Sequence, residues 1–93
     1  MIKIYKSSSN SNNRIAYGES QGIDLASIEN VLIEPLTRKS IRTGIYIALP
    51  KGTFGFIKER SSLALKKGLF TIAGIIDNSY RGEIIVVLYN SNN

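Results

Sequence analysis

Cysteine and histidine are both absent from this 93-residue chain. Without cysteine, the chain has neither a disulfide nor a thiolate zinc site. Without histidine, Ser-His and Cys-His nucleophilic sites are excluded, as are imidazole metal ligands and an imidazole general base. Any catalysis must therefore use carboxylates, hydroxyls, lysine, arginine and backbone amides. Any metal would be a hard cation such as magnesium, bound through oxygen.

Long apolar runs are missing as well. No run approaches the ~18 residues of a membrane span, and the amino-terminal residues lack the pattern of a signal peptide. From these absences we expect an intracellular protein, cytoplasmic or nuclear, with no membrane partner.

The length predicts a single small domain over residues 1–93. Hydrophobic residues make up 43% of the chain, which is enough for a core. A chain of this size nevertheless buries only roughly 60 to 65% of its unfolded surface, and oligomerisation often adds to its stability. The net charge of +5 favours an anionic partner, either nucleic acid or a small phosphorylated ligand.

The chain consists largely of short apolar segments separated by turn residues, which predicts an all-β fold. Strands are expected at residues 1–6 (an edge strand), 21–27, 31–34, 42–49 and 53–57. Pro35 is expected to end the strand at 31–34, and Pro50 the strand at 42–49, because proline lacks a backbone N–H donor. Residues 7–13, rich in serine and asparagine, are expected to form a loop.

One short helix is expected near residues 62–67. Ser61 or Ser62 can cap its amino end, and Gly68 can terminate it. Arg60 and the two serines would then present a guanidinium, two hydroxyls and free backbone amides together, which is typical of an anion site. The alternative is an ordinary helix start with a surface arginine.

Three basic residues, Arg38, Lys39 and Arg42, form a candidate nucleic-acid patch. The patch lacks interleaved aromatic residues, and such clusters are more typical of a solvated loop. A nucleic-acid binder stays a third hypothesis, but we do not expect a nucleic-acid partner.

Residues 74–89 contain the most distinctive pattern in the chain. Asp77 and Tyr80 lie three positions apart at a turn between two β-branched segments, which predicts a hairpin with a polar tip. Asn78 is a typical turn residue, and Gly82 allows either a positive φ or the close approach of another group. The alternative is an ordinary solvated turn between two core strands.

Three segments occur in a fixed order: Gly-Ile-Asp-Leu at 22–25, Arg-Ser-Ser-Leu-Ala at 60–64, and Ala-Gly-Ile-Ile-Asp-Asn-Ser-Tyr-Arg-Gly-Glu at 73–83. In sequence and spacing they resemble the first three motifs of the homotrimeric dUTP diphosphatases (dUTPases). The resemblance extends over about residues 2–90, and the third motif is highly specific. It implies a distorted, jelly-roll-like β-barrel with one short helix, assembled as a homotrimer.

The resemblance also implies catalytic roles. Asp77 matches the general base that activates the water attacking the α-phosphorus of dUTP, a reaction that yields dUMP and pyrophosphate. Asp24 matches the carboxylate that organises this water and, through water, magnesium at the triphosphate. Arg60, Ser61 and Ser62 match the segment that binds the phosphates.

The nucleoside would be bound by the third motif and its surroundings. Tyr80 matches the tyrosine whose ring packs on the deoxyribose and leaves no room for a 2′-hydroxyl. Backbone groups of Gly74, Ile75 and Ile76, together with Thr71, match the positions that read the uracil edge. The related dCTP deaminases place a catalytic glutamate where this chain has Val87, and valine cannot transfer protons, so we do not expect deamination.

The resemblance stops at the last residues of the chain. Members of the family continue with a fourth motif, typically Gly-Asp-Arg-Ile-Ala-Gln, and with a glycine-rich arm whose aromatic residue closes over the uracil. We therefore expect a chain truncated after the third motif, with an incomplete barrel and with activity reduced by the missing arm. The alternative is a non-catalytic trimeric module of the same fold that serves assembly, decoration or regulatory binding.

Overall fold

A computed structural model describes residues 3–6, 14–15 and 22–93 of the chain. The predicted loop at 7–13 lies outside these residues. The described residues form eight strands and one short π-helix: β1 (Lys3–Lys6), β2 (Arg14–Ile15), β3 (Ile23–Asp24), β4 (Arg38–Ala48), β5 (Gly55–Phe56), the short helix (Leu63–Lys67), β6 (Leu69–Ile72), β7 (Ile75–Ile76) and β8 (Glu83–Asn90). The all-β prediction is confirmed. Within the described ranges, no helix is long and apolar enough to cross a membrane.

The main sheet has four antiparallel strands in the order β1-β4-β8-β6. The outer position of β1 confirms the edge strand expected at the amino terminus. β4 is the central element, and its register with β8 shifts between Arg42 and Tyr46, where the strand bulges. Two smaller sheets, β2-β3 and β5-β7, complete the strand pairing of the described residues.

The core lies against the long strand β4. Ile41, Ile45 and Ile47 alternate along it, and with Ile84 of β8 they are the buried hydrophobic side chains of the described residues. The hydroxyl of Thr43, also buried, donates to the Ile84 carbonyl at 2.7 Å and accepts the Ile45 amide at 3.2 Å. Among the described residues, more large apolar side chains are exposed than are buried, so the core is small, as expected for a chain of this length.

The strand predicted at residues 31–34 is wrong. This segment is irregular, and the Ile33 carbonyl accepts a hydrogen bond from the side chain of Asn90 (2.8 Å) instead of a ladder amide. A turn follows at Pro35 and Leu36, and the Leu36 amide donates to the Asn90 carbonyl at 2.8 Å. The apolar run at 31–33 therefore lies in an irregular segment that is hydrogen-bonded to the end of β8 rather than in a strand.

Two other strand boundaries differ from the prediction. β4 begins at Arg38, so the basic residues expected in a solvated loop lie on a strand, although their side chains are exposed. The strand expected over 53–57 is reduced to Gly55–Phe56 because β5 pairs only with the two residues of β7.

The short helix lies where the sequence predicts it. Gly68 ends it with φ 66°, and its amide donates to the Leu63 carbonyl. The predicted serine cap is wrong, because Ser62 has helical backbone angles and its side chain makes no capping hydrogen bond. The Leu63 and Ala64 amides instead donate to the Arg60 carbonyl at 2.9 and 3.3 Å.

The predicted hairpin around residues 77–80 is also wrong. β7 pairs with β5, whereas β8 pairs with β4 and β6. The turn therefore connects two different sheets. The local pattern of two apolar segments flanking a turn could not reveal this, because each segment finds its partner far away in the sequence.

Candidate active site

A cavity of about 210 Å³ lies between β6, β7, the turn after β7, and β8. Six of the predicted site residues line it: Thr71, Gly74, Ile75, Ile76, Asp77 and Tyr80. Ile57, Ile72, Ala73 and residues 84–87 complete the wall, and most of this wall is apolar. Since drug-sized ligands usually occupy roughly 300 Å³ or more, the cavity suits one part of a nucleotide, and the remainder would need contacts outside it.

The loop between β6 and β7 exposes backbone groups to this cavity. Ala73 and Gly74 both have positive φ values, 64° and 129°. The Gly74 carbonyl accepts the Ile57 amide at 2.8 Å, and a Cβ on Gly74 would lie 2.8 Å from the Ile57 oxygen. Only glycine fits this backbone angle and this close approach, so the loop conformation depends on it.

The turn after β7 presents the carboxylate of Asp77 to solvent. The Tyr80 amide donates to the Asp77 carbonyl at 3.0 Å, which closes the turn over Asn78 and Ser79 as predicted. Arg81 Nη1 donates to the carbonyls of Asn78 (2.8 Å) and Tyr80 (2.9 Å). The Asp77 carboxylate itself makes no hydrogen bond or ion pair within the described residues, so its oxygens remain open to a water molecule.

Tyr80 is held by a hydrogen bond within its own segment. Its hydroxyl donates to the Glu83 carbonyl at 2.6 Å, and its ring folds back over Gly82. A Cβ on Gly82 would lie 2.7 Å from the Tyr80 Oη and 2.9 Å from Cζ. The close approach predicted for Gly82 is therefore made by the phenol ring, and no positive φ is involved.

Glu83 ties the start of β8 to the bulge in β4. Its carboxylate accepts the Gly44 amide at 2.9 Å and Arg42 Nε at 3.1 and 3.2 Å. The Gly44 amide, and to a smaller extent Arg42, lowers the pKa of Glu83. Since the Glu83 carbonyl anchors Tyr80, this network also supports the tyrosine.

Glu59 does not line the cavity, but it supports a residue that does, and the sequence analysis missed it. Its Oε1 accepts both the amide and the hydroxyl of Thr71 at 2.8 Å, and its Oε2 pairs with Lys58 Nζ at 2.9 Å. The side chain is only 8% exposed, and chiefly the Thr71 amide lowers its pKa to about 2. Thr71 lines the cavity as predicted, but both of its donors are used by Glu59. No local pattern pairs a glutamate with a threonine twelve residues later.

The predicted phosphate-binding residues lie outside the cavity. Arg60, Ser61 and Ser62 are exposed, and their side chains make no hydrogen bond or ion pair in the part of the chain that the structure describes. Asp24, half-buried on β3, is likewise outside the cavity and has no side-chain partner among the described residues. In the described part of the chain, third-motif residues therefore line the cavity, whereas the named residues of the first and second motifs do not.

Comparisons with known proteins identify the family of this chain. The family model for dUTPase matches residues 9–93. The deoxyuridine 5′-triphosphate nucleotidohydrolase of Corynebacterium jeikeium (strain K411) is 51% identical over 79 residues, which cover 83% of this chain and 51% of that protein. The corresponding protein of Paramecium bursaria Chlorella virus 1 is 46% identical over 70 residues, which cover 75% of this chain and 50% of that protein. The chain thus spans about half the length of these curated relatives.

Solved structures confirm the jelly-roll-like fold. The Staphylococcus bacteriophage 80alpha dUTPase superposes with a TM-score of 0.90 at 26% identity, covering 99% of this chain and 60% of the phage chain. The native EIAV dUTPase gives a TM-score of 0.88 at 31% identity, covering 100% of this chain and 73% of the viral chain. The family model covers most of the chain and the solved structures share its fold, and the chain belongs to the dUTPase family.

Proposed function

We propose that this chain is a dUTP diphosphatase that hydrolyses dUTP to dUMP and pyrophosphate. The observation that carries the proposal is the cavity, where Asp77, Tyr80 and residues 74–76 line one space. The relatives named above are deoxyuridine 5′-triphosphate nucleotidohydrolases. In addition, a mutant of the phage 80alpha dUTPase, which has a similar fold, was solved with dUpNHpp.

In this proposal Asp77 is the general base. Its exposed carboxylate can accept a proton from a water molecule, and that water then attacks the α-phosphorus of dUTP. The bond from the α-phosphorus to the bridging oxygen breaks, and pyrophosphate leaves with dUMP as the other product. A carboxylate suits this role in a chain that has no histidine.

The cavity would hold the uridine part of the substrate. Backbone groups of Gly74, Ile75 and Ile76 are positioned by the positive-φ loop and would read the uracil edge. The Tyr80 ring, anchored through its hydroxyl, would pack on the deoxyribose and exclude a 2′-hydroxyl by occupying its space. Because both hydrogen-bond donors of Thr71 are bound to Glu59, Thr71 would form part of the cavity wall rather than donate a hydrogen bond to uracil.

The triphosphate would be bound by residues of another subunit in a homotrimer. Arg60, Ser61 and Ser62 have free, exposed side chains within the described structure, yet they lie outside the cavity of their own chain. Guanidinium, hydroxyl and backbone amide groups are suitable donors to phosphate oxygens. A site completed between subunits would bring these donors to the third motif of a neighbouring copy.

An apolar face of the main sheet supports such an assembly. The paired strands β6 and β8 bring Phe70 next to Tyr89, and Ile72 next to Val87. By the alternation of side chains along β8, Ile85 lies on the same side. Phe70 and Ile72 are each 40% exposed, and Ile85 is 37% exposed. Ile72, Ile85 and Val87 also line the cavity, so another copy on this face would remove apolar surface from water directly beside the site.

Asp24 fits a role in magnesium binding through water. Magnesium in triphosphate sites keeps several waters and uses one or two carboxylates together with substrate phosphates. Asp24 offers a single free carboxylate, and no group of three or more acidic side chains lies together in the described residues. When bound, the ion would neutralise charge on the triphosphate. A dUTPase of phage phi11, similar in fold, coordinates a structural Mg(II) ion.

Pyrophosphate release from dUTP, measured for the native chain and for Asp77→Asn, tests the proposal. Because general-base catalysis contributes about 10²- to 10⁴-fold, we expect a loss of that size in the variant. Glu34→Gln is the matched control, since it neutralises an exposed carboxylate outside the cavity. If neither native nor variant chain releases pyrophosphate while the native chain binds dUpNHpp, the chain is a non-catalytic module of the same fold.

A further inference from the structure

The side chain of Asn78 reaches from the Asp77 turn to the end of β4. Its Nδ2 donates to the Pro50 carbonyl at 2.5 Å and is 3.3 Å from the Leu49 carbonyl. Asn78 is half-buried, whereas Asp77 and Ser79 on either side are exposed. One turn residue thus points inward and binds a segment almost thirty positions earlier in the chain.

The segment that receives Asn78 is itself well fixed. Thr53 donates its amide (3.2 Å) and its hydroxyl (2.6 Å) to the same Pro50 carbonyl. Proline has a restricted φ, and Leu49 packs against the buried isoleucine cluster. Asn78 therefore connects the turn to a rigid part of the molecule.

The other hydrogen bonds of the turn act locally. The Tyr80 amide, the Tyr80 hydroxyl and the Arg81 guanidinium all bond within residues 77–83. They fix the internal shape of the turn but not its position relative to the sheets. Among the described residues, the Asn78 side chain is the group that bonds residues 77–81 to a distant segment, whereas Glu83, at the start of β8, bonds to Arg42 and Gly44 of β4.

We propose that Asn78 is a positioning residue that holds the Asp77 carboxylate at the mouth of the cavity. The inference rests on the proposed dUTP hydrolysis for its kinetic consequence. A general base must lie within hydrogen-bond reach of its water, and a misplacement of about 1 Å can cost about 10²-fold in rate. Without the Asn78 bonds the turn would keep its shape but move as a unit.

Asn78→Ala and Ser79→Ala form a matched pair of variants. Both truncate a polar side chain in the same turn, but the Ser79 side chain makes no hydrogen bond within the described residues. We expect Asn78→Ala to lower kcat by about ten- to a hundredfold, with affinity for dUpNHpp changed by less than about twofold. Amide hydrogen exchange at Tyr80 should also become faster. Ser79→Ala should change none of these quantities.

Asn78→Asp is the second variant, because it keeps the side-chain shape but removes the Nδ2 donor. It should lose at least as much kcat as Asn78→Ala. If Asn78→Ala does not fold, Asn78→Ser replaces it, with a smaller effect expected because serine retains one donor.

The inference is overturned if the kcat of Asn78→Ala and its amide exchange rate at Tyr80 match those of Ser79→Ala. It is also overturned if the melting temperature falls while kcat is kept. A native chain without dUTP hydrolysis would refute the proposed function, and unchanged Tyr80 exchange would separately refute the positioning.

Discussion

Replacing Gly82 with alanine should alter the selectivity of the site far more than the stability of the fold. The new Cβ would lie 2.7 Å from the Tyr80 Oη and 2.9 Å from Cζ. Ordinary contact begins at 3.4 Å, so the ring must move by roughly 0.7 Å or more, and its 2.6 Å bond to the Glu83 carbonyl is stretched beyond the usual range or lost.

The stability terms nearly cancel. Loss of a hydrogen bond of this kind costs about 0.5 to 1.5 kcal/mol. Alanine in place of glycine stabilises the fold by about 0.4 to 1 kcal/mol because it restricts the unfolded chain. This gain applies here since Gly82 does not have a positive φ. The Tyr80 ring is 42% exposed and can move outward without opening the core. We therefore expect the free energy of unfolding to change by less than about 1 kcal/mol.

The assay is the ratio of kcat/KM for dUTP to kcat/KM for UTP. A displaced ring no longer fills the space of the 2′-hydroxyl, so this ratio should fall by about tenfold, which corresponds to about 1.4 kcal/mol of lost discrimination. Gly22→Ala is the matched control, since its Cβ would meet nothing within 4 Å. Unchanged selectivity in Gly82→Ala would refute the reasoning, as would a loss of stability above about 3 kcal/mol.

Two further predictions concern the carboxylates. The pKa of Glu59 is lowered to about 2 from 4.5, so the stability it contributes is present above about pH 4.5 and is lost as the pH falls toward 2. In urea unfolding across this range, the free energy of unfolding of the native chain should therefore fall more steeply with pH than that of Glu59→Gln, and equal slopes would contradict the prediction. The control Lys58→Ala should keep the Thr71 bonds and most of this pH dependence. Chelation of magnesium should abolish dUTP hydrolysis, and Asp24→Asn should raise the magnesium concentration needed for half-maximal rate; an unchanged requirement would remove Asp24 from this role.

The local features of the site could be predicted from the sequence because they depend on residue type and spacing. The turn at Asn78 and Ser79, the glycine end of the short helix and the close approach at Gly82 all involve neighbours along the chain. The edge position of β1 could also be predicted, since lysines interrupt its apolar residues.

Features that depend on distant partners could not be predicted. β7 and β8 look like the two arms of one hairpin, yet β7 pairs with β5. Residues 31–33 form a short β-branched and apolar run typical of a strand, but the Ile33 carbonyl accepts the Asn90 side chain instead of a ladder amide. Glu59 belongs to none of the motifs recognised in the sequence, yet it binds Thr71 in the cavity wall. In each case the deciding contact spans more than ten positions and leaves no local pattern.

A crystal structure of the chain with magnesium and dUpNHpp would test the proposed hydrolysis most directly. We expect uracil against the backbone of residues 74–76, deoxyribose on the Tyr80 ring, and a water between Asp77 and the α-phosphorus. We also expect Arg60, Ser61 and Ser62 of a neighbouring subunit on the phosphates, with Asp24 close to the ion. An analogue bound away from this cavity, or Asp24 and Asp77 facing separate regions in every assembled copy, would contradict the proposed hydrolysis.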